Sequence, residues 1–278
     1  FKSLLVGIFL LVLMPLVVDS LWGGGSDRFT SLNIFQNPKM VAEINYLRGQ
    51  DGLDNVIGKV IHNKGVLVIK MFVGNYVKAF SSDFLFFTGD QLVPRHSVPG
   101  YGLLYVWMLP LIILGLFEMG INYKNKFYQL IGGWLLLAPV PSSLTMNGGF
   151  HVTRLAVLMV PLVVISALGG WRMWLIFKSK LLRYLVLVIY VIWIGLEFSD
   201  YGHYYLNHYS QINYQWWDYG MREAVLEAEK VEDNYDEIVF MRDDVRRPYL
   251  QYWFNAQVDP RLVQEAWKQE QNPLDRLG

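Results

Sequence analysis

Five stretches of this chain are apolar almost throughout and approach the length of a bilayer crossing: Leu4 to Trp22, Tyr101 to Phe117, Phe127 to Leu144, Leu155 to Trp171 and Tyr184 to Phe198. Such runs leave few folding options. In hydrocarbon every backbone N–H and C=O must bond within its own segment, so a spanning run of about 20 residues becomes a helix. Of the 278 residues, 53% are hydrophobic and only 17% charged, more apolar surface than a water-soluble core of this size would bury. The expected fold is therefore mainly α: a polytopic membrane protein with about five transmembrane helices. Residues 1–22 form the first helix, 23–99 an extracytoplasmic loop with short surface helices, 100–199 four more helices, and 200–278 an extracytoplasmic C-terminal segment. Pro110, Pro139 and Pro141 interrupt the second and third runs and predict kinks there.

The charges of the short loops orient the bundle. Lys124 and Lys126 follow the second run, Arg172, Lys178, Lys180 and Arg183 follow the fourth, and Lys2 precedes the first. With five alternating spans all of them fall on one side, which the positive-inside rule makes cytoplasmic. The other side then holds the 23–99 loop, the turn around 145–154 and the tail. Trp22, Tyr101, Trp134, Trp171 and the tyrosines from Tyr201 to Tyr209 sit near run ends, where aromatic belts are expected.

Several function classes drop out. The formal net charge is zero and no Lys/Arg run tracks a phosphate backbone, so nucleic acid is not an expected partner. Cysteine is absent, which excludes disulfides, thiolate metal sites and cysteine catalysis. The phosphate loop, nucleophile elbow, zincin and dinucleotide motifs are missing as well. Asp19 and Glu197, near the ends of the first and fifth runs, make a poor proton relay. Phe1 lies inside an apolar run with no initiator Met, charged leader or small-residue cleavage site, so no signal peptide is read, and the expectation is a fragment whose beginning is missing.

In the long loop, Asn37-Pro38 reads as the cap and first position of a helix, and VLVIKMFVGNYVKAFSSDF as a helix lying along the membrane surface. In the tail, YQWWDYGMREAVLEAEKVED is an amphipathic helix, DEIVFM a short strand and RRPYLQYWFNAQVDP a helix or extended segment, together a small α/β appendage.

The residues with the most chemistry cluster at the outer face. Arg154 defies the charge asymmetry, since it sits in a short outer loop where basic residues are disfavoured. Two readings stand: an arginine snorkelling to headgroup level, or a guanidinium fork gripping a lipid phosphate. His151, three residues earlier, caps the helix or donates to the same anion. FSSDFLFFTGDQLVPRHSVPG adds Asp83, Asp90, Arg95 and His96 just before the second span, as substrate-binding candidates or as Asp–Arg pairs tying a loop together. No metal ligands are assigned.

FQNPKMVAEINYLRG, HNK, NYVKAFSSDFLFFTGD, PRHSVPGYGLLY, LLLAPVPSSLT and FHVTRLAVLMVPL, with WWDYG and PYLQYWF in the tail, together resemble bacterial membrane glycosyltransferases of the GT-C superfamily, related to protein O-mannosyltransferases and the aminoarabinose transferase of lipid A. The resemblance implies a polytopic enzyme that takes a sugar from a polyprenyl-phosphate donor and transfers it, outside the cytoplasmic membrane, to a protein, lipid or glycan acceptor with inversion. It implies Arg154 as the donor-phosphate contact with His151 beside it, and assigns no role to Asp83 or Asp90. The family's catalytic carboxylate is expected upstream of Phe1. No cofactor is certain, although some family members use a divalent cation. A lipid-linked sugar flippase and a non-catalytic scaffold subunit are the alternatives. Spans with little internal polarity favour interfacial chemistry over passage.

Overall fold

Asparagine caps punctuate the helices. A short polar side chain that accepts from the first free N–H groups fixes where a helix begins, and the chain uses this device repeatedly. In the computed structural model, which describes residues 32–37, 39–52, 55–90, 93–240 and 248–269 with Leu11, Met14, Pro15 and Val18, Asn37 accepts from Lys39 N (3.0 Å) at the start of α1, Lys39–Asp51. Asn55 caps α2, Val56–Ile61, and Asn63 caps α3, Lys64–Lys78. Apart from those four residues, the expected span from Leu4 to Trp22 lies outside the described residues.

The loop helices pack on one another and on the bundle. Met40 and Ile44 of α1 bury against Leu67 of α3. At the far end of α3, the Asn75 side chain donates to the carbonyls of Ser143 (3.3 Å) and Thr145 (2.9 Å). The surface helix is thus tied to the turn that precedes the fourth apolar run.

Two of the four remaining runs form helices long and apolar enough to cross a membrane: α6, Val152–Ile176, and α7, which starts at Lys180 and is regular to Tyr204. The other two are shorter than their sequences promise. Residues 101–107 are irregular, so the second run is helical only over α4, Met108–Ile121. The third gives α5, Lys126–Leu137, about 18 Å at 1.5 Å per residue. The expected kinks are absent for a physical reason. Pro110 sits in the first turn of α4, where its missing N–H breaks no helical bond. Pro139 and Pro141 end α5 instead of bending it, and a separate four-residue turn, Val140–Ser143, follows.

The core is built around α4 and α6. Phe84, Leu104, Ile112, Leu155, Leu158 and Ile165 belong to one buried cluster. The two helices run in the same direction and touch backbone to backbone. A Cβ added at Gly169 would lie 1.7 Å from the Leu111 carbonyl oxygen, and one at Gly115 would lie 1.9 Å from that of Ile165. Small residues that allow this approach are how apolar helices gain packing when burial from water supplies no drive. One turn further on, Arg172 meets Glu118 at 3.3 Å, so the basic loop ends of α4 and α6 share one end of the pair.

By contrast, α7 buries no residue. An apolar cleft of about 230 Å³ separates part of it from α4 and α6. Its tether to α4 is Glu197, whose carboxylate accepts from the backbone N–H groups of Val106 (2.6 Å) and Trp107 (3.2 Å) and so supplies the cap that the start of α4 lacks.

Residues 200–278 make a second compact unit. The expected amphipathic helix is α8, Met221–Val231, which buries Met221, Val225 and Ala228 and packs on α9, Pro248–Asn255. Asp259 caps α10, Pro260–Gln269. The expected α/β character is not found. Residues 236–240 of DEIVFM carry no regular structure, and among the described residues no strand lies beside them. A single strand with no partner leaves its backbone groups to water.

Candidate functional site

Asp90 is the hinge of the site. Its side chain is only 1% exposed, although it belongs to an irregular loop. Such a carboxylate must be satisfied by fixed donors. Oδ1 accepts from Val93 N (2.9 Å), and Oδ2 accepts from Val152 N (3.3 Å), the first amide of α6. The loop closes through Ser97, whose hydroxyl accepts from Asp90 N (3.1 Å) and donates to Asp90 O (3.0 Å). Gly89 (φ 59°) makes this possible, since a Cβ there would meet the Tyr101 carbonyl oxygen at 2.8 Å.

Asp90 therefore caps α6 from 62 residues away. His151 occupies the N-cap position, yet its side chain makes no cap bond; its carbonyl receives Arg154 N (3.1 Å) and Leu155 N (3.0 Å). This corrects the capping role expected of His151. A carboxylate against the partly positive helix end suits the helix dipole and leaves the imidazole available for something else.

Both histidines converge on the same oxygen. His96 Nδ1 is 3.4 Å and His151 Nδ1 3.9 Å from Asp90 Oδ2, and the two ring centroids are 5.3 Å apart. Arg95 Nε donates to His96 Nε2 (3.3 Å), which leaves the ring proton on His96 Nδ1, pointing toward Asp90. Thr153 Oγ1 lies 3.0 Å from His151 Nδ1. Burial pushes the His151 imidazole below its ordinary pKa. Arg154, His96 and Arg95 act in the same direction, and the Asp90 carboxylate opposes them. The ring is held neutral near pH 7, with a lone pair to offer.

Arg154 is half-buried on the first turn of α6, and its Nη1 donates to Thr145 Oγ1 (2.7 Å) and the Met146 carbonyl (3.4 Å). The guanidinium is folded onto the 145–146 turn, a contact that neither sequence reading of this arginine contained. That turn is held rigidly. Ser142 Oγ donates to Gly148 O (2.6 Å), Thr145 Oγ1 to Ser142 O (2.7 Å), and Asn147 takes the left-handed conformation (φ 55°).

Of the six candidates, Asp90, Arg95, His96, His151 and Arg154 are thus gathered at the N-terminal end of α6. Asp83 is not among these contacts. It is exposed at the head of the short helix Asp83–Phe87, where its carbonyl accepts from Thr88 N (2.7 Å). Thr145, Ser97 and the Val152 amide were missed, because hydroxyls and backbone groups that act only through the tertiary fold leave no spacing to read.

Known proteins do not extend this picture. No family model, curated protein or solved structure matches the chain. Functional conclusions therefore rest on the geometry and on the residues themselves.

Proposed function

We propose that the chain is part of a multi-pass membrane glycosyltransferase of the GT-C type, which takes a sugar from a polyprenyl-phosphate donor and passes it to an acceptor on the extracytoplasmic side. One observation carries the reading: two imidazoles converge on a single buried carboxylate at the N-terminal end of a 25-residue apolar helix, and two guanidinium groups act on those imidazoles. A lipid-linked phosphate combines a long apolar tail with an anionic head. Such a ligand needs an apolar wall that ends in cationic donors, and a helix N-terminus adds partial positive charge at the same place. In this reading Arg154 contacts the donor phosphate, with His151, Arg95 and His96 around the head group. The acceptor's base is not assigned to any residue of this chain.

The test separates phosphate binding from loop support. Arg154→Ala should weaken donor binding about tenfold to a hundredfold, the worth of a charge-assisted contact of about 1.5–3 kcal/mol. Arg154→Lys should recover part of that, keeping the charge without the fork. Thr145→Val removes the shorter of the two turn contacts and leaves the charge. Donor binding and sugar transfer are measured in nanodiscs, normalised to folded protein. If Thr145→Val reproduces the loss seen with Arg154→Ala, the arginine only supports the turn and the phosphate reading fails.

A further inference from the structure

The convergence of Asp90, His96 and His151 matches a second kind of chemistry, which does not depend on the sugar-transfer reading. One carboxylate oxygen and one ring nitrogen from each histidine all lie within 4.8 Å of one another. Ligands at about 2.0–2.1 Å from a tetrahedral Zn²⁺ lie roughly 3.3 Å apart. The Asp90–His96 pair at 3.4 Å already meets this spacing, and the Asp90–His151 pair at 3.9 Å is close to it. Small rotations of two partly buried rings would bring in the third edge.

We propose that Asp90, His96 and His151 form a site for one divalent transition-metal ion, Zn²⁺ in the first instance, with at least one position open to an outside ligand. Two neutral imidazoles and one carboxylate suit Zn²⁺, Mn²⁺, Fe²⁺ or Co²⁺, whereas Ca²⁺ and Mg²⁺ require oxygen shells that these residues do not supply. The supporting shell is in place. Val93 N and Val152 N hold the carboxylate from two sides, and orientation of this kind is a regular companion of metal ligands.

Metal binding also requires a rearrangement. If His96 coordinates through Nδ1, its ring proton moves to Nε2, and Arg95 must release that nitrogen. No net proton is consumed or released by this tautomer change. Arg95 and Arg154 oppose a cation electrostatically, and they also make the open position suitable for an anionic ligand.

The test uses the full chain, purified in detergent without a histidine tag, stripped with a chelator and titrated with Co²⁺ and Zn²⁺. The expected result is one equivalent per chain, with intense visible Co²⁺ bands of low coordination number. His96→Gln and His151→Gln should each weaken binding by about tenfold or more, and His62→Gln should leave it unchanged. X-ray absorption on the wild-type zinc-loaded protein should show two imidazole scatterers and needs no variant to fold. Binding that survives the His96→Gln/His151→Gln pair overturns the proposal. So does an absorption spectrum with oxygen scatterers alone, or no stoichiometric uptake by the wild-type chain.

Discussion

Adding one methyl group at Gly169 should separate the two central helices. The Cβ of Gly169→Ala would sit 1.7 Å from the Leu111 carbonyl oxygen, 2.6 Å from its carbon and 2.9 Å from Gly115 N. All three are backbone atoms, so no rotamer change relieves the clash. Restoring ordinary contact at roughly 3.5 Å requires α4 and α6 to move apart by about 1.5–2 Å. A gap of even 0.5–1 Å forfeits about a quarter to a half of the dispersion energy across the contact, and Leu158, Leu162, Ile165 and Ile112 all lose density together. Overpacking costs about 1–3 kcal/mol, and the backbone nature of this clash places it near the top of that range. Alanine returns about 1 kcal/mol of helix propensity, for a net loss of about 2 kcal/mol. For a chain of this size that is a fall of about 4–8 °C in Tm.

The adjacent glycine supplies the control. A Cβ at Gly170 meets nothing within 4 Å, so Gly170→Ala should be neutral or stabilise by up to about 1 kcal/mol. Thermal unfolding of both variants in the same detergent, followed by tryptophan fluorescence, gives the comparison. If Gly169→Ala melts at or above Gly170→Ala, the helices do not meet along this glycine seam.

Glu197→Gln should speed hydrogen exchange at the Val106 and Trp107 amides and cost about 1–2 kcal/mol, because a neutral amide accepts less strongly than the carboxylate. Arg172→Met should destabilise by about 3–5 kcal/mol by leaving Glu118, with a side chain only 12% exposed, without its cation; adding Glu118→Gln should restore much of the loss, and a double-mutant cycle with zero coupling would refute the pairing. Phe84→Ala, at a fully buried ring in the loop that carries Asp90, should cost about 3–5 kcal/mol in chemical denaturation. Topology reporters fused after Lys126 and after Asn207 should report opposite sides of the membrane; the same side for both would refute the proposed arrangement of spans.

The parts of the fold governed by local chemistry were legible. Asn37 announced α1, the spacing of apolar residues announced α3 and α8, and the unbroken run from Leu155 announced α6. What could not be read depended on distant partners. Pro110 suggests a kink because the sequence does not say where α4 starts, and that start is capped by Glu197, about ninety residues later. DEIVFM has strand composition, but composition cannot supply a neighbouring strand. At the site, the charged cluster was visible in Arg154, His151, Asp90, Arg95 and His96. Its organisation was not, because Asp90 reaches the first amide of α6 only after the chain has folded. Asp83 and Asp90 looked equivalent seven residues apart, and burial separates them.

The bare flank of α7 carries a consequence for how the chain can change over time. A helix that buries no side chain and is fastened by polar groups near its ends, Arg183 on the Phe177 carbonyl and Glu197 on the start of α4, places almost no demand on the shape of its apolar residues, only on their character. Exchanges among Leu, Ile, Val and Phe from Leu185 to Leu196 should therefore pass selection freely, while position 197 admits little besides an acid. Among distant relatives the apolar residues of this segment should drift while the acid at position 197 persists.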